Sequence, residues 1–190
     1  MQHVRPAIVL TLFFVVFTGF AFPLAVWATA QLVFPAQASG SLIRDAQGRM
    51  LGSALLGQAF GKPEYFHPRP SAAGAGYDAA SSGGTNLGPT SAKLIQGFLQ
   101  LSAAYRSQNE LAPDALLPAD AVTGSASGLD PHISPANAEL QSARVARARG
   151  LRIEHVRALV AEHTEGRTWG LFGEPRVNVL LLNLALDGKP

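Results

Sequence analysis

Asp130-Pro131-His132 sets a carboxylate and an imidazole two residues apart, the pairing hydrolases use to activate a nucleophile. The sequence marks no serine for that role, since neither G-x-S-x-G nor S-x-x-K occurs. Pro131 stiffens the pair, so the tripeptide reads first as a turn organised by Asp130. His67, His132, His155 and His163 lack metal-ligand spacing; the last two lie about two helical turns apart, beyond an i, i+4 clamp. The absence of cysteine excludes disulfides, thiolate zinc sites, iron–sulfur clusters and a cysteine nucleophile. Ser82-Gly83-Gly84-Thr85-Asn86 is the loop best suited to an anion, because glycines let backbone N–H groups approach it. No G-x-x-x-x-G-K-[ST] pattern supplies a lysine, so a Gly-Gly tight turn is the simpler reading. Phe172-Gly173-Glu174-Pro175-Arg176 reads as a turn with a surface ion pair.

The elements that must carry these residues begin with a long apolar run. The chain has 190 residues, 47% of them hydrophobic and 15% charged, the latter well under the roughly 25% of soluble proteins. Its net charge of +2 gives no concentrated basic face and argues against a nucleic-acid partner. No charged residue occurs from Pro6 to Ile43, and Ala7 to Phe34 is almost wholly apolar. About 20 apolar residues span the hydrocarbon core of a bilayer as a helix, so this run predicts a transmembrane anchor over residues 1–35. Pro23 predicts a kink that frees the Gly19 carbonyl. Ala28-Thr29-Ala30 imitates a cleavage site, but the run far exceeds the about 7–15 residues of a signal peptide. Thr18, Ala21, Ala25 and Ala28 share one side, where a second helix would approach closely. Arg5 precedes the span and the next basic residue is Arg44, which puts the N-terminus in the cytoplasm and the rest outside.

Residues 36–190 read as one mixed domain. Ser41–Arg44 and Met50–Leu56 flank a hairpin turn at Asp45-Ala46-Gln47-Gly48. Residues 61–89 keep neither helical nor strand period, and loops of that length in compact domains are functional or disordered. Leu94, Phe98, Leu101 and Tyr105 mark one apolar helix face, and residues 113–133 return to loop composition. Ser134-Pro135 starts a helix that stops at Gly150, and Ile153 to His163 forms another with Ile153, Val156, Leu159 and Val160 inward. Val177 to Leu186 is apolar on both faces and predicts a central strand covered on both sides. The fold class is therefore α/β: one N-terminal transmembrane helix, then a single mixed α/β extracytoplasmic domain.

Five segments carry a resemblance. YFHPRPSA (65–72), SGGTNLGPTS (82–91), VTGSASGLDPHISPANA (122–138), RVARARGL (144–151) and GEPRVNVLLLNLALD (173–187) follow the apolar span in order. Together they resemble the KdpC family of the Kdp potassium-transporting P-type ATPases, over nearly the whole chain. The resemblance implies a non-catalytic member of a complex that hydrolyses ATP to import potassium across the bacterial inner membrane. It implies three partners besides the bilayer: KdpA with the ion pathway, KdpB with the phosphorylated aspartate, and the small span KdpF. It implies a stabilising role and that of a catalytic chaperone raising the ATP affinity of KdpB. No tightly bound cofactor is implied, only ATP in a complex shared with KdpB, at Ser82, Gly83, Gly84, Thr85 and Asn86. Thr85 stands where the related ABC signature carries Gln.

An outward domain would instead cap the potassium entrance, away from cytoplasmic ATP. The two long loops are expected to dock on the potassium subunit through one face that includes Tyr65, His67, Arg69, Asp130 and His132. The rival expectation is that Arg69 and Asp130 pair internally and tie the loops together. A tethered binding module unrelated to transport, and a tethered hydrolase using Asp130 and His132, are the alternatives from other classes.

Overall fold

The computed structural model describes residues 2–188, and it divides into two compact units after Leu42. In the first unit, α1 (Val4–Val16), a π-helical turn (Phe17–Ala21) and α2 (Phe22–Val33) form one continuous helix. It is 30 residues long with mean hydropathy 2.4, and none of it is buried within the protein. At about 1.5 Å per residue it exceeds the roughly 30 Å of a hydrocarbon core. The disturbance expected from Pro23 is taken up by the wide turn before it, where the Phe22 N–H reaches back to the Phe17 carbonyl. The hydroxyls of Thr18 and Thr29 donate to the carbonyls of Phe14 (2.6 Å) and Ala25 (2.8 Å), so neither is left bare in an apolar medium. A short helix, α3 (Pro35–Ala38), follows.

The expected hairpin starts on the boundary residue, with β1 (Leu42–Arg44) and β2 (Met50–Ser53). Asp45 builds its turn: one carboxylate oxygen accepts from the N–H groups of Gln47 (3.0 Å) and Arg49 (2.8 Å). Gly48 supplies the left-handed residue, at φ 77°. No helix or strand occurs from Ala54 to Thr90. The chain then forms α4 (Ala92–Asn109), α5 (Ala119–Val122), β3 (His132–Ile133), α6 (Pro135–Arg149), α7 (Ile153–Glu162), β4 (Thr164–Glu165), β5 (Arg176–Asn178) and α8 (Val179–Leu186). The ends of α6 are those the sequence announces. The Ser134 hydroxyl accepts from the Asn137 N–H at 3.1 Å, Pro135 opens the first turn, and Gly150 closes it at φ 65°.

Two expectations are corrected. Residues 177–186 are not a strand: β5 ends at Asn178, whose side chain caps α8 by accepting from the Leu181 N–H at 3.2 Å. An apolar run of this length is equally a buried helix, and leucine and alanine favour the helix over the strand. Within residues 113–133, both α5 and β3 are regular. In α4, where only Asn109 is fully buried, Leu94, Phe98 and Tyr105 of the apolar face are half-buried and Leu101 is 39% exposed.

β3, β5 and β4 form an antiparallel sheet in that order, with Ile133 and Thr164 both opposite Val177. α6 and α8 pack against β5, and α7 packs on both helices. Phe66, Ile133, Val145, Val156, Val177 and Leu182 are the heart of the core. Each contributes about 1.5–3 kcal/mol by leaving water. Phe66 enters this core from the long segment without secondary structure, which has to be held by other means.

Candidate functional site

Two side-chain amides hold that segment. Asn183 on α8 accepts from the Phe66 N–H (2.8 Å) and donates to the Phe66 carbonyl (2.9 Å). Gln141 on α6 does the same for His67, at 2.8 and 3.0 Å. Consecutive residues are thus paired as they would be by a neighbouring strand, which satisfies backbone groups that burial would otherwise orphan. Arg144, 5% exposed, completes the clamp. It donates to the carbonyls of Pro63 (2.6 Å) and Tyr65 (2.9 Å), to Asn109 Oδ1 (2.9 Å) and to Gln141 Oε1 (2.7 Å). These four acceptors are neutral, and burial lowers the arginine to about 10. A chain of polar contacts continues through Asn137, which accepts from the Tyr105 hydroxyl (2.7 Å) and donates to Asp120 (2.9 Å). Asp120 in turn accepts from the Ser134 N–H and hydroxyl.

Sequence reading missed this network. The signal was present: Asn137, Gln141 and Arg144 recur at i, i+4, i+7 on α6, and Asn183 interrupts an apolar run. Polar groups on the inward face of a helix require partners. Among the described residues no buried side-chain nitrogen or oxygen lacks one.

The five residues expected on one face are divided. Tyr65 lies with Arg149 and Asp187: its hydroxyl donates to Asp187 (3.1 Å), and the Arg149 guanidinium sits 4.9 Å from its ring centre. Arg149 also bonds Asp187 at 2.8 Å. His67 faces a different depression, with Phe60, Tyr77 and Tyr105. Its Nε2 is 3.0 Å from the Lys62 carbonyl. Burial holds its imidazole below the usual 6.5, as does the Arg144 charge, while contacts to Lys62 and Gln108 oppose them.

Arg69, Asp130 and His132 do come together. Arg69 Nη1 pairs with Asp130 Oδ2 at 2.8 Å, and its other donors reach the carbonyls of Thr123 and Gly124 at 3.3 Å. Asp130 Oδ1 accepts from the His132 N–H at 2.9 Å, with His132 Nδ1 at 3.5 Å. Burial pushes the Asp130 carboxyl up, but bonds from His132 and Arg69 outweigh it and bring it down to about 2. Both carboxylate oxygens are therefore engaged, and Asp130 clamps two loops together. The trio lines an open groove of about 430 Å³ together with Glu174, Pro175 and Arg176.

Ser82–Asn86 is not a tight turn. Gly83 and Gly84 have no positive φ, and both lie against residues 125–128. The Ser82 hydroxyl (3.0 Å) and the Gly83 N–H (2.9 Å) both donate to the Ser127 carbonyl. A β-carbon on Gly84 would stand 3.0 Å from the Ala126 carbonyl oxygen, so glycine permits the close approach. Thr85 and Asn86 are exposed, and Asn86 is left-handed at φ 51°. The expected ion pair in residues 172–176 is replaced by two: Glu174 with Arg167 (2.7 Å) and Arg176 with Glu165 (2.8 Å). Among the described residues no group of three or more His, Asp or Glu side chains is placed to hold a metal.

Residues 4–188 match the family model described as KdpC: K+-transporting ATPase, c chain. The chain is similar to proteins named potassium-transporting ATPase KdpC subunit in several bacteria. One from Caulobacter sp. (strain K31) is 54% identical over 189 residues, covering 100% of this chain and 95% of that one. One from Myxococcus xanthus is 58% identical over 176 residues, 92% of this chain and 82% of that one. One from Mycobacterium tuberculosis (strain CDC 1551 / Oshkosh) is 53% identical over 186 residues, 98% of each. An unburied apolar helix followed by this amide-clamped domain, matched over residues 4–188, places the chain in the KdpC family.

Proposed function

We propose that the chain is the membrane-anchored accessory subunit of an ATP-driven potassium importer in the bacterial inner membrane. Its partners in this reading are the ion-conducting subunit KdpA, the ATP-hydrolysing subunit KdpB and the small span KdpF. The observation that carries it is the 30-residue apolar helix with no residue buried, within a chain of this family. Such a surface needs lipid or other membrane helices around it. Gln141, Arg144, Asn183 and the Arg69–Asp130 pair are engaged in holding the loops of the domain, which suits a structural subunit. Arg5 before the span, and no basic residue after it until Arg44, favour an N-terminus in the cytoplasm and a domain outside. The domain then stands on the side from which potassium enters, and the groove of Arg69, Asp130 and His132 is the surface we assign to polar contact with KdpA.

The finer role is a rise in the ATP affinity of KdpB. The geometry favours transmission through the interfaces of the complex over nucleotide held at Ser82–Asn86, because Ser82 and Gly83 already spend their donors on the Ser127 carbonyl. The absence of cysteine makes the topology test clean. A single cysteine at Lys62, 73% exposed, is expected to react with an impermeant maleimide in intact spheroplasts. Labelling only after rupture overturns the outward placement. The complex assembled without the chain is expected to show a higher KM for ATP. Ser82→Ala with Thr85→Ala is expected to leave that KM unchanged, and a raised KM would restore direct nucleotide contact.

A further inference from the structure

The segment between β4 and β5 differs from every other loop of the domain in what it exposes. The N–H groups of Thr168 and Phe172 donate to each other's carbonyls at 2.8 and 3.0 Å, closing a tight tip. Its apolar side chains point away from the core: Trp169 is 86% exposed, Leu171 73% and Phe172 61%. The two rings meet edge to face, 6.1 Å between centres. Trp169 has φ 54°, a left-handed conformation that is costly for a bulky residue and is held by the hairpin closed around it. At the base, Arg167 pairs with Glu174 and Arg176 with Glu165, so two basic and two acidic residues leave no net charge.

We propose that Trp169, Leu171 and Phe172 form a preformed plug that seats in a neutral apolar pocket on another subunit of the transporter. The proposal rests on the accessory-subunit reading given above and adds to it the docking element and the chemistry of its receptor. Three observations select this occupant. The ring of charges around the tip is self-neutralised, which complements an uncharged pocket and offers anionic headgroups no basic excess. The tip is fixed by backbone bonds and by ring-on-ring contact, which lowers the ordering cost of filling a shaped cavity, whereas a fluid bilayer demands no such shape. The plug is also continuous with the polar groove, since Glu174 and Arg176 at its base line the same depression as Arg69, Asp130 and His132. An apolar anchor beside a polar rim is the usual anatomy of a protein interface.

The test uses the full chain carrying Leu171→Cys labelled with bimane, both alone in proteoliposomes and assembled with the other subunits. Solvent-like emission alone and blue-shifted, quencher-shielded emission in the complex are expected. Solvent-like emission in both overturns the plug, and a blue shift already present in the liposomes makes lipid the occupant and overturns the protein pocket. In parallel, Trp169→Ser with Phe172→Ser is expected to weaken the chain's binding to the remaining subunits by about thirtyfold or more. Its unfolding midpoint should stay unchanged. Unaltered binding overturns the proposal while leaving the accessory-subunit reading intact. Failure of the unsubstituted chain to bind the other subunits at all overturns both.

Discussion

Tyr65-Phe66-His67 and Trp169-Gly170-Leu171-Phe172 are both short aromatic segments within loops, and they have opposite fates. In the first, Phe66 is fully buried, and the backbone of Phe66 and His67 is paired by Asn183 and Gln141. In the second, the backbone closes on itself and the aromatic side chains are left to solvent. The first segment is bound to the fold by polar side chains from two helices. The second is shaped by its own hairpin and contributes little to the fold. An irregular loop can therefore be structural and a regular one a surface for a partner. The decisive variable is where the backbone hydrogen bonds go.

The comparison breaks most readily at Arg144. Arg144→Leu is expected to take this donor from two carbonyls and two amide oxygens, of which Gln141 Oε1 keeps the His67 N–H, and to cost about 4 kcal/mol in chemical unfolding of the full chain in detergent. Arg144→Lys should recover little of this, because one ammonium cannot reach four acceptors in a planar fan. Asn183→Leu, which orphans the N–H and carbonyl of Phe66, is expected to cost about 2–3 kcal/mol by the same measurement.

His67 sharpens the contrast through pH. Its folded imidazole sits below the usual 6.5, so the unfolded chain binds more protons over the range between the two values. The contribution to stability is complete above pH 6.5 and is lost as the pH falls below it. Unfolding midpoints measured from pH 7.5 to pH 5 should decline in the native chain, and His67→Gln should flatten that decline. Asp130 acts lower: its carboxyl moves from 3.8 to about 2, so its contribution is present above pH 3.8 and disappears on approach to pH 2. The smallest effect on stability is expected in the second segment. Trp169→Ser should shift unfolding by no more than about 0.5 kcal/mol, because the side chain touches little of the domain. A loss of several kcal/mol there would erase the distinction between the two segments.

The N-terminal apolar helix, the Asp45 hairpin, and the start of α6 at Ser134 with its stop at Gly150 were legible because each signal lies within a few residues of what it governs. The Arg69–Asp130 pair was legible as one of two alternatives, and the structure realises the ion pair that ties the loops. The expected common face was not realised for Tyr65 and His67. Which depression a loop residue faces depends on helices far away in sequence, here α8 with Asp187 and α4 with Tyr105.

By itself, the sequence determined the N-terminal apolar helix, the caps of α6, the absence of thiol chemistry and the family, all through composition, local spacing or ordered motifs. Only the tertiary structure decided that residues 179–186 are a helix, that Arg144 is buried among neutral acceptors, and that Trp169 stands outside. An apolar run specifies burial without specifying helix or strand, and a lone arginine or tryptophan specifies no environment. Those choices are made by whichever distant groups complete the hydrogen bonds or cover the surface, and Gln141, Asn183 and Arg144 do so for the Tyr65–His67 segment across more than 70 residues of chain.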